Sequence, residues 1–211
     1  SRYRTEFEIA KELGGNANIM SALKNSIPGI FDASNFQSGI EFIQLDNPVY
    51  SNLESARAKT NVDMVHSGTS LPQGYSGKDV VVGVLDVGFD YSHPTFYDET
   101  GVTYRIKRIW EQKTNGTPPS NYSYGHEITD TLLMLAQQTD NNGQSHGTHV
   151  AGIAAGSGYG GVANEYKGVA YGSDLVLVGI TPSSDQWTNT GMTDIIDGLN
   201  YIYDYAESVG K

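Results

Sequence analysis

The sequence predicts a three-layer α/β fold, with a parallel sheet and helices on both of its faces. Two apolar runs, residues 80–85 and 174–180, are typical of buried strands. Each run is followed along the chain by a helical pattern, over residues 146–155 and 193–208. A strand, a long polar excursion, a helix, a second strand and a second helix form the order expected of a parallel sheet wound by right-handed crossovers.

Composition limits the class of protein. The chain has 211 residues, of which 38% are hydrophobic and 25 are glycine. These values are typical of one large soluble α/β domain, with or without a small appendage. The formal net charge of −11 disfavours binding to nucleic-acid phosphates. No run reaches the ~18 apolar residues of a membrane span, and the absence of cysteine excludes disulfides and a thiol nucleophile.

The N-terminal part of the chain predicts short elements. Residues 5–24 indicate two helical pieces, divided by a Gly-Gly pair. Residues 40–45 predict a strand, which ends at a turn containing proline. We expect one helix over residues 52–66, followed by a loop rich in Gly, Ser and Pro over residues 67–78.

Beyond the first buried strand, residues 104–110 predict a strand and residues 129–138 a short helix. The helix over residues 146–155 is expected to end at Gly156. Small side chains should let this helix lie closely on the sheet; they are Gly147, Ala151, Gly152, Ala154 and Ala155. The helix over residues 193–208 carries apolar side chains on one face, namely Ile195, Ile196, Leu199, Ile202 and Tyr203.

The strongest candidates for chemistry are Asp86 and His146. Asp86 directly follows the first buried strand, and His146 begins a helix. In open α/β sheets, active sites form beyond the carboxyl ends of the strands. An acid and a histidine at this edge are two thirds of a charge-oriented nucleophilic site, whose third member is an activated serine. The alternatives are a carboxylate that only caps a turn and a histidine that is only structural.

Two motifs resemble the aspartate and histidine blocks of the subtilisin-like serine proteases (subtilases, peptidase S8). They read Val-Val-Val-Gly-Val-Leu-Asp86-Val-Gly-Phe-Asp-Tyr-Ser-His-Pro and Ser-His146-Gly-Thr-His-Val-Ala-Gly. Their order, aspartate before histidine, is also that of the family. The resemblance implies the N-terminal portion of a catalytic domain, and therefore a partial subtilisin-like fold truncated before its C-terminal half.

By this resemblance, Asp86 would orient the imidazole, and His146 would act as general base and then as general acid. The sequence departs from the family at Asp86-Val87-Gly88, where Asp-Thr-Gly or Asp-Ser-Gly is usual, so that a hydroxyl beside the acid is lost. The excursion between acid and histidine is longer than in the simplest members. Its run Arg105-Ile-Lys-Arg-Ile-Trp-Glu-Gln resembles a branch that includes bacterial germination-type proteases and enzymes of Bacteroides-like bacteria.

The family's nucleophile block does not occur in this sequence. The sequence ends at Lys211, before the Gly-Thr-Ser block and the oxyanion asparagine of the resembling family. We therefore expect no meaningful protease activity from the chain alone. We also expect an exposed sheet edge and apolar face, which lead to self-association or to binding of the missing C-terminal part. Residues 68–70 do read Gly-Thr-Ser, but this triplet precedes the acid, and Ser70 is expected to be a loop residue.

Other motifs fit other chemistries poorly. The glycine-rich residues 156–161 follow a helix, whereas a dinucleotide fingerprint follows a strand. His146 and His149 lack the His-Glu-x-x-His pattern of a zinc pair, and the resemblance implies a packed structural role for His149. Residues 140–143 lack the downstream acid of a calcium loop.

The chemistry requires no cofactor, and the structural calcium that the resemblance suggests cannot be assigned to residues. The other histidines are expected at a helix end (His66), a turn (His93) and a polar loop (His126).

The chain is expected to contain two regions, residues 1–50 and residues 51–211. The first is interpreted either as a prosegment remnant or as an N-terminal extension that packs on the domain, and the second as the N-terminal part of the catalytic domain. Charged residues interrupt residues 1–20, which therefore lack a signal-peptide core. A cytosolic location and secretion after loss of a leader both stay open on the residues alone. The resemblance favours a secreted, periplasmic or cell-surface protein.

Two functions of different classes follow. The first is a serine endopeptidase, to which this chain supplies Asp86 and His146. The second is a non-catalytic, subtilase-like pseudoprotease that binds or regulates a partner, and Val87 mildly supports it. The expected partners are a protein or peptide substrate and either the C-terminal half of the domain or a second copy of the chain.

Overall fold

The computed structural model describes residues 52–180 and 190–211. The predictions made for residues 5–24 and 40–45, and the interpretation of residues 1–50 as a prosegment, lie outside the described residues.

The described part is built on a four-stranded sheet. Its strands are β1 (Val81–Asp86), β2 (Ile106–Glu111), β3 (His126–Ile128) and β4 (Asp174–Gly179), in the spatial order β1-β4-β2-β3. Strand β4 pairs in parallel with both β1 and β2, and β3 pairs antiparallel to β2. The predicted mixture of helices with a mostly parallel sheet is confirmed. An entirely parallel sheet was expected, and β3 departs from it.

The helices are α1 (Asn52–Lys59), α2 (Val62–Ser67), α3 (Thr131–Gln137), α4 (His146–Ala155) and α5 (Met192–Ser208). Short 3₁₀ turns occupy Pro94–Phe96 and Val162–Asn164. The single helix expected over residues 52–66 is wrong, because Asn61 has a φ of 63° and divides it into α1 and α2. No helix in the described ranges has both the length and the apolar character needed to cross a membrane.

Strand β4 separates two hydrophobic cores. Leu175 and Leu177 belong to the core on one face of the sheet, and Val176 and Val178 to the core on the other. This division follows from the alternation of side chains along a strand, and β4 is buried on both faces because other elements pack on both faces of the sheet. Helix α4 covers the first face and α5 the second, so that three layers result.

Helix α4 approaches the sheet closely, as its small residues predict. Gly147, Ala151 and Ala155 recur every fourth position and are buried. A Cβ atom on Gly147 would lie 2.8 Å from the ring of Phe89, which is too close for any other residue to fit without a shift. Gly152 differs, because a Cβ there would meet open space.

Helix α5 presents a different face to the sheet from the one its apolar pattern suggests. Gly198 and Tyr201 are its buried residues. A Cβ on Gly198 would lie 2.6 Å from the Leu85 side chain, so this glycine brings the helix close to β1. Leu199 and Tyr203 are exposed instead. The apolar residues of α5 therefore form two stripes, of which one faces outward.

Strand β3 was not expected. His126, predicted to lie in a polar loop, is the first residue of β3 and pairs with Glu111. A strand of three residues is too short to show a period of two in the sequence.

The guanidinium of Arg105 joins several segments beneath the first core. Arg105 is 4% exposed and donates hydrogen bonds of 2.7–3.0 Å to the carbonyl oxygens of Thr95, Tyr97, Ala155 and Ser173. Burial lowers its pKa to about 10, so it stays protonated at neutral pH. A cation at the last residue of α4 also favours the helix dipole. Arg105 thus anchors the end of α4 opposite to His146.

Replacement Arg105→Met should lower the free energy of unfolding by about 3 kcal/mol or more, because it leaves several buried carbonyls without donors. Urea denaturation measures this loss. The control is Arg108→Met, since Arg108 forms a partly exposed ion pair with Glu127 and should cost no more than about 1 kcal/mol. Equal losses in the two variants would contradict the anchoring role.

Candidate active site

Asp86 is the last residue of β1 and lies at the carboxyl edge of the sheet. It is 4% exposed, and its Oδ1 accepts a hydrogen bond of 2.7 Å from the backbone N–H of Val87. In the strand register Asp86 is opposite Gly179, the last residue of β4. The Asp86 carboxylate therefore stands at the end of β1, and the pairing of β1 with β4 fixes its position.

His146 is the first residue of α4, and the fold brings it to Asp86 across 60 positions of sequence. The distance from His146 Nδ1 to Asp86 Oδ1 is 2.7 Å. An ionised carboxylate can only accept, so Nδ1 carries the shared proton in this arrangement. The His146 side chain is 58% exposed, whereas that of Asp86 is 6% exposed. A buried acid thus orients a ring that solvent can reach.

The turn after Asp86 is bound to the first turn of α4. The N–H of Gly147 donates to the Val87 carbonyl at 2.7 Å, and the N–H of Thr148 donates to the Gly88 carbonyl at 3.0 Å. The Thr148 hydroxyl also donates to the Gly88 carbonyl and accepts from the N–H of Asp90. These bonds satisfy N–H groups that a helix start leaves without partners. They also tie the strand of Asp86 to the helix of His146.

Gly88 permits the sharp exit from β1. Its φ is 79°, and a Cβ there would lie 2.4 Å from the backbone of Gln144. Val87, which departs from the family's threonine or serine, is buried at 2% exposure. An apolar side chain therefore occupies this position next to the acid.

Asp140 is a member of this environment that the sequence did not single out. It is 5% exposed, and its carboxylate accepts from the N–H of Phe89 at 2.6 Å and of Gly88 at 3.2 Å. Burial raises the pKa of Asp140 to about 6; the two backbone hydrogen bonds oppose this shift, and the charge of Glu111 adds to it. The sequence offered one signal, an aspartate six residues before His146, and it was considered only as part of a calcium loop.

Glu111 ends β2 on the other side of β4. It is buried, and its Oε1 accepts a hydrogen bond of 3.0 Å from the Tyr91 hydroxyl and another from the Gln137 side-chain amide. Burial raises the pKa of Glu111. Gly179 pairs with Glu111 on one side and with Asp86 on the other. The ends of three neighbouring strands therefore carry acid, glycine and acid in one row.

The remaining sequence candidates lie away from this pair or serve other contacts. Ser70 is an exposed turn residue after α2, as predicted. His66 lies in α2 and its Nε2 contacts the Val169 carbonyl at 2.8 Å. The prediction that His149 is packed is wrong, because its side chain is exposed. The buried face of α4 consists of Gly147, Ala151 and Ala155, and His149 lies off this face. Across the described ranges, no group of three or more His, Cys, Asp or Glu residues is arranged to hold a metal ion.

Comparison with known proteins supports the resemblance. The model of the subtilase family (Peptidase_S8) matches residues 77–210. The chain belongs to the subtilase family. The matched range contains both Asp86 and His146, together with all of the sheet.

Individual subtilases resemble parts of the chain. A subtilisin-like protease of Arabidopsis thaliana is 31% identical over 98 residues, covering 39% of this chain and 12% of the relative. A cuticle-degrading serine protease of Orbilia oligospora is 24% identical over 86% of this chain and 37% of its own length. The structure of the CspB protease of Clostridium perfringens is similar with a TM-score of 0.55 and 28% identity, over 75% of this chain and 31% of that chain. The chain thus spans well under half the length of these subtilases.

The stability of the chain should depend on the ionisation of Asp140. Its native pKa of about 6 lies above the value of about 3.9 expected in the unfolded chain. The stabilising contribution of the protonated form is therefore complete below about pH 4 and is lost as the pH rises through about 6. The expected decrease is about 3 kcal/mol by pH 7.

Urea denaturation from pH 4 to pH 7 tests this dependence, with Asp140→Asn as the variant that cannot titrate. The pH curve of the variant should be flatter than that of the wild type. Asp130→Asn, at the exposed N-cap of α3, should retain the wild-type curve. Parallel curves for Asp140→Asn and wild type would contradict the prediction.

Proposed function

We propose that this chain supplies the acid and the base of a serine endopeptidase. The observation that carries the proposal is the 2.7 Å contact between His146 Nδ1 and Asp86 Oδ1, formed within a subtilase domain. A buried carboxylate at Nδ1 leaves Nε2 as the nitrogen that exchanges protons with a nucleophile and a substrate. The intact pair favours an enzyme over a pseudoprotease, although Val87 differs from the usual residue.

The proposed reaction is the hydrolysis of a peptide bond through an acyl-enzyme. His146 Nε2 removes the proton from the hydroxyl of a serine outside this chain as that oxygen attacks the scissile carbonyl. Asp86 stabilises the imidazolium that forms. The imidazolium then returns the proton to the leaving amine, and water repeats the sequence to release the acid product. These proton transfers need no cofactor.

The proposal includes a requirement for residues beyond this chain. The sequence holds no counterpart of the family's nucleophile block, and Ser70 lies in an exposed turn that precedes β1. Loss of the serine from a triad of this type lowers turnover by about 10⁶-fold. We therefore propose that the chain alone is inactive. Function outside the cytoplasm is part of the same proposal, and a relative named for degrading cuticle supports it.

The activity test begins with the gene, which should continue past Lys211 into a Gly-Thr-Ser block; a stop at that point or a replaced serine would overturn the endopeptidase in favour of the pseudoprotease. The longer protein that carries the block is then compared with the 211-residue chain. Such a protein should cleave a chromogenic peptide, and the 211-residue chain should not. In the longer protein, His146→Ala should lower kcat by about 10⁶-fold and Asp86→Asn by about 10⁴-fold.

The control is Asp130→Asn, which changes a carboxylate at the N-cap of α3, away from the Asp86–His146 pair, and should keep the activity. If the 211-residue chain itself cleaved the peptide and His146→Ala abolished this cleavage, the proposed need for a serine outside the chain would be overturned. Full activity of His146→Ala in the longer protein would overturn the proposed function.

The outward stripe of α5 supports a proposal about partners. Met192, Ile196, Leu199 and Tyr203 are exposed and follow a helical spacing, so that they form one continuous apolar line. In the described ranges, β1 pairs with β4 alone and has no strand on its other side. We propose that the remainder of the subtilase domain covers this edge and this stripe, and that the isolated chain associates with itself instead.

Light scattering on the purified chain should show a species larger than a monomer. Leu199→Glu should shift the species toward the monomer, because a charge in the middle of the stripe opposes burial. The control is Val102→Glu, at an isolated exposed residue in a loop, which should leave the association unchanged. A wild-type chain that is monomeric at every concentration would contradict the proposal.

A further inference from the structure

The carboxylate of Asp140 lies directly above the central strand of the site. A Cβ atom placed on Gly179 would be 3.0 Å from Asp140 Oδ2. Gly179 is the β4 residue that pairs with Asp86 and with Glu111. Because Gly179 has no side chain, the Asp140 carboxylate can lie against β4, between the ends of β1 and β2.

Both oxygens of Asp140 are used by the turn that follows Asp86. Oδ1 accepts from the N–H of Phe89 at 2.6 Å, and Oδ2 accepts from the N–H of Gly88 at 3.2 Å. Asp140 is 5% exposed, so little water is available to replace these bonds. The amide side of the turn is therefore held by one buried carboxylate.

The carbonyl side of the same turn is held by α4. The N–H groups of Gly147 and Thr148 donate to the carbonyls of Val87 and Gly88. The peptide unit at Gly88 thus receives a donor from the His146 helix and gives its own N–H to Asp140. Displacement of the turn would move the start of α4 relative to the end of β1.

We propose that Asp140 is a positioning residue for the Asp86–His146 pair. It acts through the backbone of the turn at Gly88 and Phe89, which it fixes between β1 and α4. This role rests on the proposed function of the pair. It requires no proton transfer by Asp140 itself.

Alternative roles for Asp140 fit the contacts less well. A substrate-binding carboxylate needs exposure, and Asp140 is buried. A helix cap would accept from the first turn of a helix, as Asp130 does from Leu132 and Leu133. The Asp140 carboxylate instead accepts hydrogen bonds from Gly88 and Phe89, about 50 residues earlier in the sequence. Capping of a nearby helix therefore does not explain these bonds.

The test is the tautomer of His146, read from the ¹⁵N shifts of the ring in histidine-labelled chain near neutral pH. His146→Ala assigns the signals. In the wild type, Asp86 should hold the proton on Nδ1. In Asp140→Asn, an amide NH₂ faces a backbone N–H, the turn shifts, and the population with the proton on Nε2 should increase.

Asp130→Asn is the matched control, because it changes a carboxylate that also accepts from two backbone N–H groups but lies away from the pair. It should leave the His146 tautomer at the wild-type value. If Asp140→Asn does not fold, Gly179→Ala replaces it, since the added methyl group must displace the Asp140 carboxylate while leaving its charge in place. The direction of the shift should be the same and its size smaller.

The longer, nucleophile-containing protein provides the second readout. Asp140→Asn should lower kcat by about 10- to 100-fold through misplacement of the pair, with KM changed by no more than about twofold. Both constants are calculated per folded molecule, because a general loss of stability lowers only the folded fraction and leaves these values unchanged. Asp130→Asn should change neither constant.

The outcomes separate this inference from the proposed function. An unchanged His146 tautomer in folded Asp140→Asn and Gly179→Ala overturns the role of Asp140 and leaves the proposed function standing. A wild-type His146 that lacks the Nδ1 proton overturns the Asp86–His146 pair, and the role of Asp140 with it. A shift in Asp140→Asn that is absent in Asp130→Asn supports the inference.

Discussion

The hydrogen bond between Asp86 and His146 depends on how closely a helix can approach the end of a strand. Asp86 is fixed at the edge of the sheet by β1, and His146 by the first turn of α4. The two elements reach hydrogen-bonding distance because Gly147 allows α4 to pack against Phe89. Arg105 holds the other end of the same helix. The close packing of α4 is thus the condition for the geometry of the site.

The candidate site combines buried acids with an accessible histidine. Asp86, Asp140 and Glu111 are all buried at the carboxyl ends of the strands, where backbone N–H groups and side-chain donors bind them. His146 lies at the rim and is exposed. Burial of several carboxylates is unfavourable and raises the pKa values of Asp140 and Glu111. Asp86 and Asp140 bind backbone N–H groups of the turn that follows β1, whereas Glu111 binds the side chains of Tyr91 and Gln137.

The sequence could predict those features that depend on pattern or motif. The buried strands and helix α4 have clear periodicity, and Asp86 and His146 stand at their ends within specific motifs. Asp140 could not be found in this way, because its partners Gly88 and Phe89 are backbone groups distant in sequence. The buried face of α5 was missed because Gly198, which carries no apolar side chain, determines it. The catalytic roles and the interpretation of residues 1–50 stay predictions.

A double-mutant cycle on kcat tests the central claim most directly. It compares Asp86→Ala, His146→Ala and the double variant in the longer protein that carries the nucleophile serine. If the two side chains act as one unit, the double variant should be no less active than His146→Ala alone. Losses that add on a logarithmic scale would show that Asp86 and His146 act independently, and would contradict the account.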